Sequence, residues 1–263
     1  MALRPETWRV LRNRAAIGAR GSKARGFSVV DLLVSIAVMT LLITILTPSL
    51  VSANEMARRA KCASNVRQLG LGLQMYAYDH ADVVPPSTFS TPTTADRDGS
   101  VQDTIYVRID SNDFDASERM HQGVKWDGLG HLASLSYADA PHVYYCPSHT
   151  GNHPYEKYRD VWLSRTGTIA DNYQYRISTA GKRLGDVKGT VTLIADGMRT
   201  RPDYNHRVGN NMLKGDLSVQ WFADADGALL GLLAEDETAA RAPGNVNRAW
   251  NTLDNSNNQN ANQ

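Results

Sequence analysis

From Phe27 to Leu50 the chain runs apolar with hardly an interruption, FSVVDLLVSIAVMTLLITILTPSL, broken by one charge, Asp31, and one helix-disturbing residue, Pro48. As a helix these 24 residues extend about 36 Å, against a hydrocarbon core of about 30 Å. Beyond Pro48 the helical period persists. Cys62, Val66, Leu69, Leu73 and Tyr76 recur at spacings of four, three, four and three, and so share one face. Arg58, Arg59, Lys61 and Arg67 mostly populate other faces. Gly70 and Gly72 each cost about 1 kcal/mol inside a helix, so they call for a closely packed neighbour. Pro85-Pro86 ends the run. The pattern predicts one helix of about 55 residues. Its membrane-length half covers 27–50 and its amphipathic half 51–84.

After the helix the period shortens. Residues 87–104 are rich in Ser, Thr and Asp and read as a loop. IYVRI (105–109), HVYYC (142–146), NYQYRIS (172–178), TVTLIAD (190–196) and LSVQWF (217–222) are β-branched or aromatic runs bounded by turn formers, and predict strands. GHLASLSYA (130–138) and GALLGLLAE (227–235) predict short helices, the first leading into the strand at 142–146. From about 240 the chain turns Asn-rich, and residues 237–263 predict a disordered tail after a globular part at 85–236. One long helix followed by short strands predicts an α+β fold, with an antiparallel sheet packed on the helix.

Charge sharpens the N-terminal picture. The formal net charge of +1 conceals an asymmetry. Residues 1–26 carry Arg4, Arg9, Arg12, Arg14, Arg20, Lys23 and Arg25 against Glu6 alone, which leaves −5 for the remainder. A basic head before an apolar span is a topological signal and predicts that the head stays cytoplasmic. The basic group at Arg58, Arg59 and Lys61 opposes that orientation, but the head has the larger excess. The apolar stretch is longer than in a secretory signal and lacks a small-residue cleavage site after it, so it reads as retained. The mildly acidic remainder has no basic patch beside its aromatic residues, which argues against nucleic acid as a partner.

Asp31 is costly in such a span unless paired or close to the interface. The residues Gly26-Phe27-Ser28-Val29-Val30-Asp31-Leu32-Leu33 resemble the processing site of the type IV pilin and type II secretion pseudopilin superfamily. The resemblance implies that a prepilin peptidase cuts the basic leader 1–26 between Gly26 and Phe27 and N-methylates Phe27. It further implies that the acid neutralises the new terminal amine of a neighbouring subunit during assembly. Here Asp31 stands where the superfamily usually has Glu, and the leader is long for a pseudopilin. A second resemblance rests on CASNVRQLGLGLQMYAYDH (62–80), YYCPS (144–148), DNYQY (171–175), LIADG (193–197) and HRVGNNMLKGDLSVQWF (206–222). These are similar to a bacterial subgroup of prepilin-processing-associated proteins, DUF1559-like and abundant in planctomycetes, that carries a His-X9-Asp-Gly motif. His206 and Asp216 have that spacing, while Leu217 replaces the Gly.

The resemblance implies a pilin-like fold and a single-pass inner-membrane protein with a periplasmic ectodomain. Its partners would be the peptidase and other pilin-like subunits, as a pseudopilin of a type II secretion-like system or alternatively a type IV pilus subunit. A membrane-anchored metal-binding or enzymatic ectodomain is the reading from a different class. Export would place Cys62 and Cys146 in an oxidising compartment. A bridge between them, closing a loop of about 84 residues and contributing about 4 kcal/mol, is the expectation; two separately buried thiols are the alternative.

Little else in the chain suggests chemistry. His142, Cys146, His149 and His153 have zinc-like spacing, but residues four apart on a strand lie about 13 Å apart, so no metal site is expected there. The acidic loop 110–118 lacks the central Gly of a calcium loop and reads as solvated. His206 and Asp216 have no nucleophile motif or phosphate loop beside them, and a turn-bracing role is expected rather than acid–base work. Neither a cofactor nor an enzyme activity is expected.

Overall fold

The computed structural model describes residues 28–90, 103–110, 112, 123–236 and 243–256. It divides into two compact units, residues 1–49 and 50–263. The leader through Gly26, together with Phe27, lies outside the described residues, as does most of the acidic loop 110–118.

Helix α1 spans Val29–Asp79 and contains Pro48 without a break. Its start is fixed locally. Ser28 Oγ accepts from the Val30 N–H at 3.2 Å while Asp31 Oδ2 accepts from the Ser28 N–H at 3.2 Å, a reciprocal pair of the capping-box type. Within the first unit the apolar side chains from Val29 to Leu46 are exposed. This stretch, with a mean hydropathy of 2.6, makes α1 the one helix among the described residues long and apolar enough to cross a membrane.

In the second unit α1 changes character, and Cys62, Val66, Leu69, Leu73 and Tyr76 are buried as their spacing predicted. The helix stops before the prolines, because Ala81 and Asp82 take left-handed conformations (φ 55° and 66°) and the Asp82 N–H reaches back to the Ala77 carbonyl at 2.7 Å.

Among the described residues the sheet has six strands in the order β2-β1-β3-β4-β5-β6. These are β1 (Asp103–Asp110), β2 (Val124–Trp126), β3 (Ile169–Arg176), β4 (Thr192–Asp196), β5 (Gly209–Lys214) and β6 (Val219–Ala223). Every neighbouring pair is antiparallel. Short helices α2 (Gly130–Ser134) and α3 (Tyr155–Ser164) lie between β2 and β3, and α4 (Pro243–Asp254) follows the sheet. The α+β class with an antiparallel sheet and a long N-terminal helix is therefore the fold of this chain.

Adjacent strand residues face opposite sides, and β5 shows how the core divides. Leu213 joins the cluster of Val66, Leu69, Leu73, Val107, Tyr175 and Ile194 on the α1 side. Met212 joins Ala195, Phe222, Leu229, Val246, Trp250 and Leu253 on the α4 side. Gly70 permits the first contact, since a Cβ there would fall 2.7 Å from Leu213 Cδ1.

Several segments differ from their sequence pattern. HVYYC is no strand: Pro141–Tyr144 forms a 3-10 turn with Pro141 in its first turn, a place where proline's fixed φ and missing N–H cost nothing. At 227–235 the helix shrinks to a 3-10 turn, Leu230–Leu232. The Asn-rich segment assigned to a disordered tail forms α4 in its described part. There Val246, Ala249, Trp250 and Leu253 make a buried stripe at helical spacing. Arg176 donates to both carboxylate oxygens of Asp254 (2.7 and 3.0 Å) and Lys214 Nζ donates to the Leu253 carbonyl at 2.6 Å, which fastens the C-terminal end of α4 to the sheet.

Candidate functional site

Four chemistry-bearing side chains converge where α1 meets the edge of the core. Cys62 comes from the inward stripe of α1, Cys146 from the segment after the 3-10 turn, Asp196 from the end of β4, and His206 from the turn before β5. Their ligand-type atoms all lie within 4.8 Å of one another, and all four residues are buried.

The cluster is tightly connected. Cys62 Sγ donates to Asp196 Oδ1 at 2.7 Å and lies 3.2 Å from the Tyr173 hydroxyl. Cys146 Sγ lies 3.4 Å from His206 Nε2, which is also 3.5 Å from Asp196 Oδ2. The other imidazole nitrogen, Nδ1, faces Glu55 Oε1 at 2.7 Å. Glu55 in turn accepts from Ser148 Oγ at 3.0 Å and pairs with Arg59 at 3.7 Å. Asp196 Oδ2 accepts from the backbone N–H and the amide of Asn211, at 2.8 and 2.9 Å. The Asp196 backbone exchanges hydrogen bonds with the Asn210 amide. Trp221 closes one side, its ring edge-on to His206 at 5.6 Å and covered by the Arg59 guanidinium at 4.5 Å.

The electrostatics separate the two thiols. Burial pushes the Cys62 thiol well above its ordinary pKa, and the Asp196 carboxylate adds to the rise. Burial also opposes ionisation of Cys146, but the Cys62 and His206 hydrogen bonds outweigh it and hold that thiol below its ordinary value. For His206 burial works against protonation. The contacts with Cys146, Asp196 and Glu55 win, raising the imidazole to about 9.

Both cysteines are free, so the expected bridge is corrected. An S–S bond needs the sulfurs about 2 Å apart. Each thiol is instead directed to its own partner, Cys62 to Asp196 and Cys146 to His206. Asp216 does not join His206. They stand beyond opposite ends of β5, whose six residues extend about 20 Å at the usual rise. Asp216 Oδ1 accepts from the Ser218 N–H at 2.9 Å, and Leu217 takes the left-handed φ of 64° that the motif's Gly would supply. The zinc-like run at 142–153 is dispersed. His142 packs on Tyr155, while His149 and His153 both face Asp203 at 3.7 Å.

Glu55, Asp196 and Asn211 were not singled out by sequence reasoning. For Glu55 there was a signal: it precedes Cys62 by seven residues, two helical turns, and so continues the inward stripe. Beside the cluster a cleft of about 580 Å³ is lined by Cys146, Asn65, His142, His149, Tyr155 and Asn172. At its wall Asn65 Oδ1 and Asn172 Nδ2 are buried without a hydrogen-bond partner among the described residues.

A family model described as a protein of unknown function (DUF1559) matches residues 51–208. No curated protein and no solved structure matches the chain.

Proposed function

The chain belongs to the DUF1559 family, and on that premise we propose that it is a membrane-anchored, pilin-like subunit rather than an enzyme. The observation that carries this reading is the single helix Val29–Asp79, exposed and apolar in its first part and the core of an α+β domain in its last. One element so built can anchor the chain before assembly and pack against like helices afterwards. The sequence Gly26-Phe27, with Asp31 close behind, supplies the processing site. The basic leader orients it, leader in the cytoplasm and ectodomain in the periplasm.

In this reading a prepilin peptidase cuts between Gly26 and Phe27 and methylates Phe27. Asp31 then meets the new amine of a neighbouring subunit. Within one chain Asp31 accepts from the Ser28 N–H, so assembly would replace a weak local hydrogen bond with a charge pair. A pseudopilin of a type II secretion-like system is the preferred assignment.

Mass spectrometry of the N-terminal peptide, in cells with an active prepilin peptidase, tests it. Methylated Phe27 is the expected terminus. Intact Met1 in the membrane-bound protein overturns the reading. Asp31→Ala should leave cleavage intact and reduce cross-linked multimers; undiminished multimers would remove Asp31 from assembly.

A further inference from the structure

We propose that Cys62, Cys146, Asp196 and His206 form a closed, four-coordinate zinc site that fastens helix α1 to the sheet. The inference is independent of the processing reading, because all four residues and their supports lie in the second compact unit, residues 50–263.

The donor set selects the ion. Two thiolates, one imidazole and one carboxylate suit a borderline-soft divalent cation in tetrahedral geometry, whereas calcium and magnesium take oxygen ligands. The spacing agrees. Bonds of about 2.0–2.3 Å at tetrahedral angles put ligand atoms about 3.3–3.8 Å apart. Cys146 Sγ–His206 Nε2 is 3.4 Å and His206 Nε2–Asp196 Oδ2 is 3.5 Å. Cys62 Sγ meets the other carboxylate oxygen, Asp196 Oδ1, at 2.7 Å, shorter than a tetrahedral edge because a thiol proton bridges the pair. Binding would send the thiol protons and the Nε2 proton of His206 to solvent, and bond both sulfurs and the imidazole to the ion.

The surrounding groups are those a metal ligand set requires. The Glu55 carboxylate faces Nδ1 of His206, so the nitrogen that would give up its proton to a metal is Nε2, the one aimed into the cluster. Asn211 holds Asp196 Oδ2 by two hydrogen bonds and so fixes the carboxylate plane. The cleft along Cys146 gives an ion a way in. A nucleophilic Cys146–His206 pair is the competing use of these residues. It would need a substrate atom beside Nε2, where Asp196 and Asn211 already stand. Four protein ligands with no open position make the site structural, not catalytic.

The test uses the full chain, untagged and purified from membranes in detergent, with Zn²⁺ as the probe. After zinc loading and dialysis, elemental analysis should find one zinc per chain. X-ray absorption should show two sulfur and two nitrogen or oxygen neighbours. Cobalt in place of zinc should give a thiolate charge-transfer band. Glu55→Ala, at a side chain 34% exposed, should keep the fold by circular dichroism and weaken zinc binding by about 10–100-fold. Three results would overturn the proposal. One is a folded wild-type chain that retains less than about a tenth of an equivalent of zinc. Another is zinc with no sulfur neighbour, which would point to His149, His153 and Asp203. The third is an intact mass lower by two hydrogens, the mark of a Cys62–Cys146 disulfide.

Discussion

His206 Nδ1 lies 2.7 Å from Glu55 Oε1, a hydrogen bond that spans 151 residues of sequence and joins α1 to the turn before β5. Glu55→Ala strands both His206 and Ser148, which also donates to this carboxylate. The expected loss is about 1–3 kcal/mol, towards the lower end because Glu55 is partly exposed. Glu55→Gln should recover part of it, since an amide oxygen still accepts. Urea unfolding followed by near-ultraviolet circular dichroism measures the difference. Equal midpoints for wild type and Glu55→Ala would mean the contact contributes nothing.

Gly70 owes its place to Leu213. An added methyl would lie 2.7 Å from Leu213 Cδ1 in a fully buried region. Gly70→Ala gains about 1 kcal/mol of helix propensity and loses about 1–3 to overpacking, for a net destabilisation of about 1 kcal/mol. Leu213→Val in the same chain should give part of this back. Gly231→Ala, with open space around the new Cβ, serves as the neutral control in the same thermal melts.

Acid should act through Asp203. Burial disfavours its carboxylate, but His153, Thr200 and His149 together hold its pKa down to about 2. The unfolded value is about 3.9, so the folded state favours the ionised form. This contribution, up to about 2 kcal/mol, is fully present above about pH 4 and lost as pH falls through about 2. Asp203→Asn removes it. The stability gap between variant and wild type should therefore close as the pH falls through this range. A gap unchanged down to about pH 2 would exclude Asp203 as its source.

Asp254 ties α4 to two strands, pairing with Arg176 of β3 and accepting from the Thr192 N–H of β4 at 2.7 Å. Both side chains of the pair are largely buried, so Asp254→Ala leaves an uncompensated guanidinium and should cost about 3 kcal/mol. Limited proteolysis should then cut α4 before the sheet. A variant whose α4 resists protease as the wild type does would contradict this account.

The long helix was legible because its stripe, Cys62 to Tyr76, repeats at helical spacing and its burial follows the stripe. Strands at 105–109, 172–178, 190–196 and 217–222 were legible for their β-branched and aromatic residues. β5 was not: GNNMLK is poor in strand formers, and its asparagines serve long-range contacts, Asn210 with the Asp196 backbone and Asn211 with the Asp196 carboxylate. α4 was hidden by asparagines on its outer face, which mask a stripe of Val246, Ala249, Trp250 and Leu253. For the site, Cys62, Cys146 and His206 stood out singly. What pairs them lies 134 and 151 residues away, at Asp196 and Glu55 respectively, and no local pattern encodes a contact at that range. The disulfide expectation rested on the basic head and apolar span, from which export of the two cysteines was inferred. In the structure both thiols are free, with Cys62 donating to Asp196 and Cys146 beside His206.

Lys214 sets an order of events during synthesis. Its ammonium is fully buried, and burial lowers its pKa. Its acceptors are the carbonyls of Thr190 and Leu253 and the hydroxyl of Ser256. Two of these three are translated after every strand of the sheet. Until the ribosome has released them, β5 carries a cation that the core cannot accommodate, and the α4 side of the sheet must stay wet. A message cut short before α4 would thus yield a chain marked by its own unmatched lysine and open to proteases.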